Sequence, residues 1–279
     1  MGRLTSILQS QLQTPQYLFK NLMWRLPRSV CEQEIVFVLG APRSGTTLLQ
    51  RLIASHSAFF SIQAETGLFS WQNIFARDHF GLSHDENRML FKGSKDIIDF
   101  FDQAVTLLST RHAGKRFIEK TPQHVLHLSF LLKHFPTARF VHIVRDGRDC
   151  YCSAKSHPDI PQRHSVEKFA RYWRDCVQSG LNHRNEPRLI TIRYEDLASQ
   201  AEAPLNTVMQ HLGVELESAQ LDATQYGSDS RAALQEFKRL SSAITPSTVG
   251  RWQEEMSSSE KDAFSKIAGT QLRAFGYIS

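Results

Sequence analysis

Glu34–Leu39 (EIVFVL) runs directly into Gly40-Ala41-Pro42-Arg43-Ser44-Gly45-Thr46-Thr47, and an apolar-periodic segment follows from Thr47 to His56. A short β-branched apolar run of this kind reads as a buried parallel strand, and the spacing behind the loop reads as a helix. Similar runs recur down the chain. Arg116–Ile118 is a second strand and ends in EKTP. His124–Phe135 has helical spacing at Val125, Leu128, Leu131 and Leu132. Arg139–Val144 (RFVHIV) is a third strand and ends in RDGRD. Phe169–Leu181 is helical, Leu189–Arg193 (LITIR) is a fourth strand, and Leu205–Leu212 is a short helix with Gly213 placed as its C-cap. Strands that alternate with helices give an α/β fold with a central parallel β-sheet flanked by helices.

The chain has 279 residues, 41% hydrophobic and 22% charged, which suits one large globular domain. We divide it into an N-terminal extension, residues 1–32, and a single domain, residues 33–279. The net charge of +5 suits an anionic ligand without identifying one. No run of lysine and arginine and no aromatic ladder points to nucleic acid. No stretch approaches the roughly 20 apolar residues of a bilayer span. The N-terminus lacks the apolar core of a secretory signal, so a cytoplasmic location is expected. The four cysteines, Cys31, Cys150, Cys152 and Cys176, form no CxxC pair, and free buried thiols are expected.

Three of the four strands end in polar clusters: PRSGTT, EKTP and RDGRD. In a parallel sheet ligands bind beyond the carboxyl ends of the strands, so topology alone gathers these clusters. In the first, backbone amides at a helix N-terminus favour an anion. Gly45 allows close approach, while Ser44, Thr46 and Thr47 add hydroxyls. Gly40 and Gly45 have the spacing of the nucleotide triphosphatase loop, so the fold is P-loop-like, but Thr46 occupies the lysine position. The cation sits at Arg43 instead, which argues against an ATP or GTP hydrolase. In the second cluster Arg145 can meet a phosphate through two parallel hydrogen bonds, and Ser153 lies eight residues on, in the following helix. Alone, RDGRD would read as an ion-paired surface turn. Arg148 and Asp149 are expected to be structural. The third cluster offers Lys120.

PRSGTT, Arg145-x7-Ser153 and Lys120, in that arrangement, resemble the PAPS-dependent sulfotransferases (PAPS, 3′-phosphoadenosine 5′-phosphosulfate). The arginine-bearing loop is closest to that of tyrosylprotein sulfotransferases and their bacterial relatives. The resemblance runs from about Val36 to Tyr277. It implies PAPS as donor, PAP as product, no metal, and an acceptor hydroxyl on a small molecule, lipid, glycan or tyrosine. It assigns Arg43, Ser44, Gly45, Thr46 and Thr47 to the 5′-phosphosulfate, and Arg145 and Ser153 to the 3′-phosphate. A weaker phosphate contact falls to His157. Lys120 joins Arg43 in stabilising the departing phosphate. Glu65 is the favoured base, although its spacing is one residue longer than in the relatives. Glu119 and His124 compete for that role. Tyr194, in Arg193-Tyr194-Glu195-Asp196-Leu197, is placed near the nucleotide. Ser241 or Ser242 and Arg251 belong to a segment that folds over it. A P-loop kinase and a non-catalytic nucleotide-binding protein are the rival readings.

The aromatic-rich stretch of about 66–114 (Phe69, Trp71, Phe75, Phe80, Phe91, Phe100, Phe101) is expected to cover the acceptor, with Asp78–Arg88 as a lid. Ser156–Ser165 is a second candidate gate. Residues 1–28 carry Arg3, Lys20, Arg25 and Arg28, no acidic residue, and interspersed Leu4, Leu8, Leu12, Leu18, Phe19, Leu22, Met23 and Trp24. They suit an amphipathic helix on a membrane, or one packed on the body of the domain.

Overall fold

A computed structural model describes residues 15–62, 64–70, 74–76, 78–158, 160–221 and 249–279. Strand β1 (Val36–Gly40) is buried along its whole length. Its side chains alternate between two cores, as a strand's period of 2 requires. Val36 and Val38 join one cluster, and Phe37 and Leu39 join the other.

The remaining strands are β2 (Phe59–Ser61), β3 (Arg116–Lys120), β4 (Arg139–Val144) and β5 (Leu189–Arg193). They form one five-stranded sheet in the order β2-β3-β1-β4-β5, and every pairing is parallel. Helix α1 (Pro15–Trp24) precedes the sheet, and α2 (Thr46–Ala54) links β1 to β2. Next come α3 (His84–Gly93), α4 (Ile97–Arg111), α5 (Leu128–His134), α6 (Gly147–Lys155) and α7 (Val166–Asn182). The chain ends with α8 (Tyr194–Ser199), α9 (Glu202–His211), α10 (Trp252–Glu255) and α11 (Ser258–Ala274). Leu48, Leu52, Leu197, Leu205 and Val208, from α2, α8 and α9, cover one face of the sheet. Residues of α4, α5, α7 and α11, including Phe101, Leu131, Trp173 and Phe264, cover the other. The result is the three-layer α/β arrangement expected from the alternation of strands and helices.

The chain leaves β1 towards β2 and leaves β4 towards β5, in opposite directions along the sheet. The crevice beyond the carboxyl ends of β1 and β4 is therefore a topological switch point, where such sheets bind ligands.

Several local expectations need correction. A fifth strand, β2, joins the edge through only three residues, too few to show a period. Strand β3 extends through Lys120, so that lysine belongs to the sheet. The segment Pro122–His127 is a 3-10 turn, and α-helix begins only at Leu128. Most of the aromatic stretch packs inward. Phe69, Phe80, Phe100 and Phe101 are buried in the main core, and Phe75 and Phe91 pack against it. Trp71 lies outside the described residues. The Asp78–Arg88 segment is partly anchored in the fold. His79 and Phe80 are buried, and Ser83 starts α3 with a reciprocal capping box to Glu86. Aromatic rings bury large areas, and here the adjoining helix α4 supplies the surface that takes them in. The four cysteines are free and buried. No described helix is long and apolar enough to cross a membrane.

His142 on β4 is almost fully buried against Gly180 of α7, and burial pushes its pKa down to about 4. Below its ordinary pKa the unfolded chain binds a proton there that the folded chain does not. Stability is therefore full above about pH 6.5 and falls as the pH drops towards 4. A loss of about 2 kcal/mol is expected between pH 7.5 and 5, from about 1.4 kcal/mol for each unit of pKa difference. Urea midpoints measured at the two pH values should converge in His142→Gln, which cannot take up a charge.

Candidate active site

The turn after β1 departs from ordinary backbone at two points. Arg43 has φ 70° and Gly45 has φ 99°, both left-handed. Glycine takes that conformation freely, whereas at Arg43 it costs on the order of 1–3 kcal/mol, a strain typical of functional loops. Gly45 is also required by packing, since a Cβ there would lie 2.5 Å from Cδ2 of Tyr194. It is the N-cap of α2 and supplies no capping side chain, so the first-turn amides remain available to an anion. Thr46 is buried and Thr47 half-buried on that turn. Ser44 is fully buried, and its Oγ has no hydrogen-bond partner among the described residues. A buried hydroxyl left in this state within an amide-rich loop fits a ligand acceptor atom.

Two guanidinium groups converge beside this loop. Arg145, at the end of β4, is buried and stacks 4.4 Å from the centre of the Tyr194 ring. Its Nη1 donates to the carbonyl of Arg43 at 3.4 Å, and its own carbonyl is held by the Trp173 indole N–H at 3.1 Å. Arg43 is exposed and donates from Nε to Ser153 Oγ at 3.1 Å. Partial desolvation against the loop, with a smaller contribution from the Arg145 charge, lowers the Arg43 pKa, and an arginine remains charged regardless. Bringing two like charges together is costly unless an anion is to lie between them. The structure thus gathers Arg43, Ser44, Gly45, Thr46, Thr47, Arg145, Ser153 and Tyr194 in one place.

Lys120 and Glu65 form the adjoining part of the site. The lysine side chain is 5% exposed and donates to Glu65 Oε1 at 2.8 Å, while the glutamate is 46% exposed. Glu119 points to the opposite face of β3 and is wholly buried. Its Oε1 accepts from Thr66 Oγ1 at 2.7 Å and from Thr121 Oγ1 at 2.6 Å. His124 Nε2 accepts the Phe69 N–H at 3.2 Å, so the ring proton sits on Nδ1 and is donated to Glu119 Oε2 at 3.0 Å. Burial opposes ionisation of Glu119, yet His124 and the two hydroxyls prevail and hold its pKa below the usual carboxylate range. Glu119 and His124 therefore have their hydrogen-bonding capacity engaged inside the core, whereas Glu65 is partly open to solvent. Thr121 Oγ1 also accepts the Gly67 N–H at 3.0 Å, and His79 joins the carbonyls of Thr66 and Ile74 at 2.7 Å each. The roles of Thr66 and His79 are not legible in the sequence, because only the folded loop brings Thr66 to Glu119 and His79 to the Thr66 carbonyl.

The C-terminal segment is tied down next to Ser153. Asp149, on α6, accepts the N–H groups of Gly250 at 2.8 Å and Trp252 at 3.0 Å, and burial nevertheless raises its pKa. Arg148 lies over the Trp252 ring and is held by Asp146. Both residues are structural, as expected. Arg251 pairs with Glu255 at 2.7 Å and lies near Cys152, without a contact to Arg43 or Arg145. His157 stands beyond α6 and does not join the two arginines; its carbonyl accepts from Arg163. Ser241 and Ser242 lie outside the described residues. Replacing Glu119 by alanine leaves three buried donors without their acceptor. A loss of about 3 kcal/mol is expected, or roughly 6–12 °C in melting temperature, with a smaller loss for Glu119→Gln. Differential scanning calorimetry of the two variants checks this.

Residues 35–218 match the sulfotransferase family. The protein-tyrosine sulfotransferase of Drosophila melanogaster is 26% identical over 212 residues, covering 70% of this chain and 41% of that protein. Protein-tyrosine sulfotransferase 1 of Danio rerio is 24% identical over 236 residues, covering 78% and 62%. The omega-hydroxy-beta-dihydromenaquinone-9 sulfotransferase of Mycobacterium tuberculosis is 31% identical over 113 residues, covering 36% and 29%. The chain spans 41% to 62% of the length of the first tyrosine-modifying relatives. Among solved structures, the sulfotransferase domain of the Synechococcus PCC 7002 olefin synthase superposes with a TM-score of 0.62 at 20% identity, over 88% of this chain and 96% of that one. A mouse sulfotransferase complexed with PAP gives 0.58 at 16% identity, over 92% and 91%. With a family match across most of its length and the same fold in these neighbours, the chain belongs to the sulfotransferase family.

Proposed function

We propose that the chain transfers a sulfuryl group from PAPS to an acceptor hydroxyl and releases PAP. One observation carries the reading. The buried, unpartnered hydroxyl of Ser44 and the left-handed loop around it lie against converging Arg43, Arg145 and Ser153, beside the Lys120–Glu65 pair. The site thus presents an anion cradle next to a carboxylate that is open to solvent. Neighbours crystallised with PAP, the mouse sulfotransferase and a retinol dehydratase, support the choice of nucleotide.

PAPS, when bound, supplies the sulfuryl group and a phosphate leaving group. The α2 amides with Ser44, Thr46 and Thr47 would hold its 5′ end, and Arg145 with Ser153 its 3′-phosphate. Tyr194 supports Arg145 from below, and Ser241 and Arg251 belong to the covering segment. Glu65 takes the proton from the attacking hydroxyl. Lys120 and Arg43 place positive charge where negative charge grows on the departing oxygen. Lysine and arginine suffice for a sulfuryl group, which carries less charge than a phosphoryl group, so no metal is invoked. The acceptor hydroxyl belongs to a small molecule, lipid, glycan or tyrosine. The four free thiols suit a reducing compartment, so the cytoplasm is part of this reading.

Calorimetric titration with PAP, with ATP and Mg²⁺ as control, tests the nucleotide. Binding to PAP in preference to ATP, lost in Arg145→Ala, is expected. A preference for ATP would overturn the reading in favour of a P-loop phosphotransferase. The roles divide further. Lys120→Ala and Arg43→Ala should each lower kcat by about 10²–10³, and Glu65→Gln by about 10²–10⁴, with Lys120→Ala and Glu65→Gln retaining PAP affinity. Equal effects of every substitution on binding alone would sink that division of roles.

A further inference from the structure

Helix α1 carries an apolar stripe that faces away from the protein. Phe19, Leu22, Met23 and Leu26 are spaced i, i+3, i+4 and i+7, and they are 66, 58, 48 and 66% exposed. At ~100° per residue Phe19, Leu22 and Met23 share an arc of about 100° on the helix, and Leu26 is exposed in the turn just past its end. The opposite side of the helix is fixed to the domain. Trp24 is buried against Phe75, Phe91 and Phe100, with ring centroids 4.8, 5.9 and 5.9 Å away. Asn21 Oδ1 accepts the Ile74 N–H at 2.9 Å. Past the helix, Asp96 accepts the N–H groups of Arg28 and Ser29 at 3.1 Å each. The outward stripe is therefore held in place by packing on its far side.

We propose that this stripe docks the protein on an anionic lipid bilayer. The charge around it argues for that partner. Arg28 follows the stripe, and residues 1–28 contain four basic residues, Arg3, Lys20, Arg25 and Arg28, and no acidic one. Arg28 is exposed, whereas Arg25 is half-buried with its Nε and Nη2 enclosed, so its charge faces the domain. Exposed apolar side chains within a basic segment free of acidic residues are the two signals that together hold a helix at an anionic membrane surface. Pairing two copies of this face would bring like charges together, whereas anionic headgroups satisfy them. Ile74 belongs to the segment that follows the Glu65 loop, so the same contacts fasten the docking helix to the acceptor side of the proposed site.

Sedimentation of the full chain with vesicles tests the docking. The parent should bind mixed phosphatidylcholine–phosphatidylglycerol vesicles and not phosphatidylcholine alone, with affinity falling as salt is raised. Leu22→Ser with Leu26→Ser should abolish binding while melting temperature and PAP affinity stay at the parent values. Lys20→Gln and Arg28→Gln should each weaken binding ~5-fold, the equivalent of about 1 kcal/mol for each charge at the surface. The proposal falls if the parent stays in the supernatant with anionic vesicles, or if the serine or glutamine variants sediment like the parent. It falls equally if light scattering shows a dimer that the serine substitutions dissociate. Loss of vesicle binding with PAP binding intact leaves the sulfotransferase reading untouched.

Discussion

Strand β1 is hydrogen-bonded on both sides to parallel neighbours, with Val38 opposite Lys120 of β3 and Gly40 opposite Ile143 of β4. Parallel pairing brings the carboxyl ends of three strands to one edge of the sheet, and each of those ends carries a polar cluster. The chain turns away from β1 and β4 in opposite directions, so no crossover helix fills the crevice between them. Arg145 reaches the Arg43 carbonyl across that crevice. The central strand must be wholly apolar to hold this position, and its two faces feed separate cores.

Strand alternation also separates two neighbouring residues with different tasks. Glu119 and Lys120 are adjacent, and their side chains leave opposite faces of β3. The carboxylate goes into the core, where Thr66, Thr121 and His124 satisfy it. The lysine goes to the site, where Glu65 meets it. Because Thr66 follows Glu65, the buried network and the site pair are two parallel links between the same pair of segments. A buried charge with every hydrogen bond made is rigid, and a rigid support suits a pair whose members must keep their separation.

Two other aspartates tie peripheral segments to the body in the same way. Asp96 receives the chain after α1, and Asp149 receives the chain before α10. Asp96 takes two backbone N–H groups on Oδ2 and Asp149 takes one on each oxygen, which fixes main chain without needing a large apolar contact. In this way a helix with an apolar outer stripe can stay docked, and the C-terminal segment can lie beside Ser153.

Much of the fold could be read from the chain alone. The β-branched runs at Val36, Arg139 and Leu189 and the helical spacing between them specify a parallel α/β sheet, since period 2 and period 3.6 are local properties. The loop from Gly40 to Thr47 and the Arg145–Ser153 spacing were equally legible, because a loop and a helix turn place their residues by short-range geometry. The role of the aromatic stretch was not. Phe80, Phe100 and Phe101 have no period that distinguishes a core ring from one that covers a ligand, and only the packing of α4 on the sheet buried them. The contact of Thr66 with Glu119, that of Phe69 with His124 and the anchoring of α1 through Asn21 join residues more than 50 positions apart. Sequence determined the elements and the chemistry at the strand ends, since these follow from neighbouring residues; tertiary structure alone decided which side chains are enclosed and which remain available, because burial is a property of the packed whole.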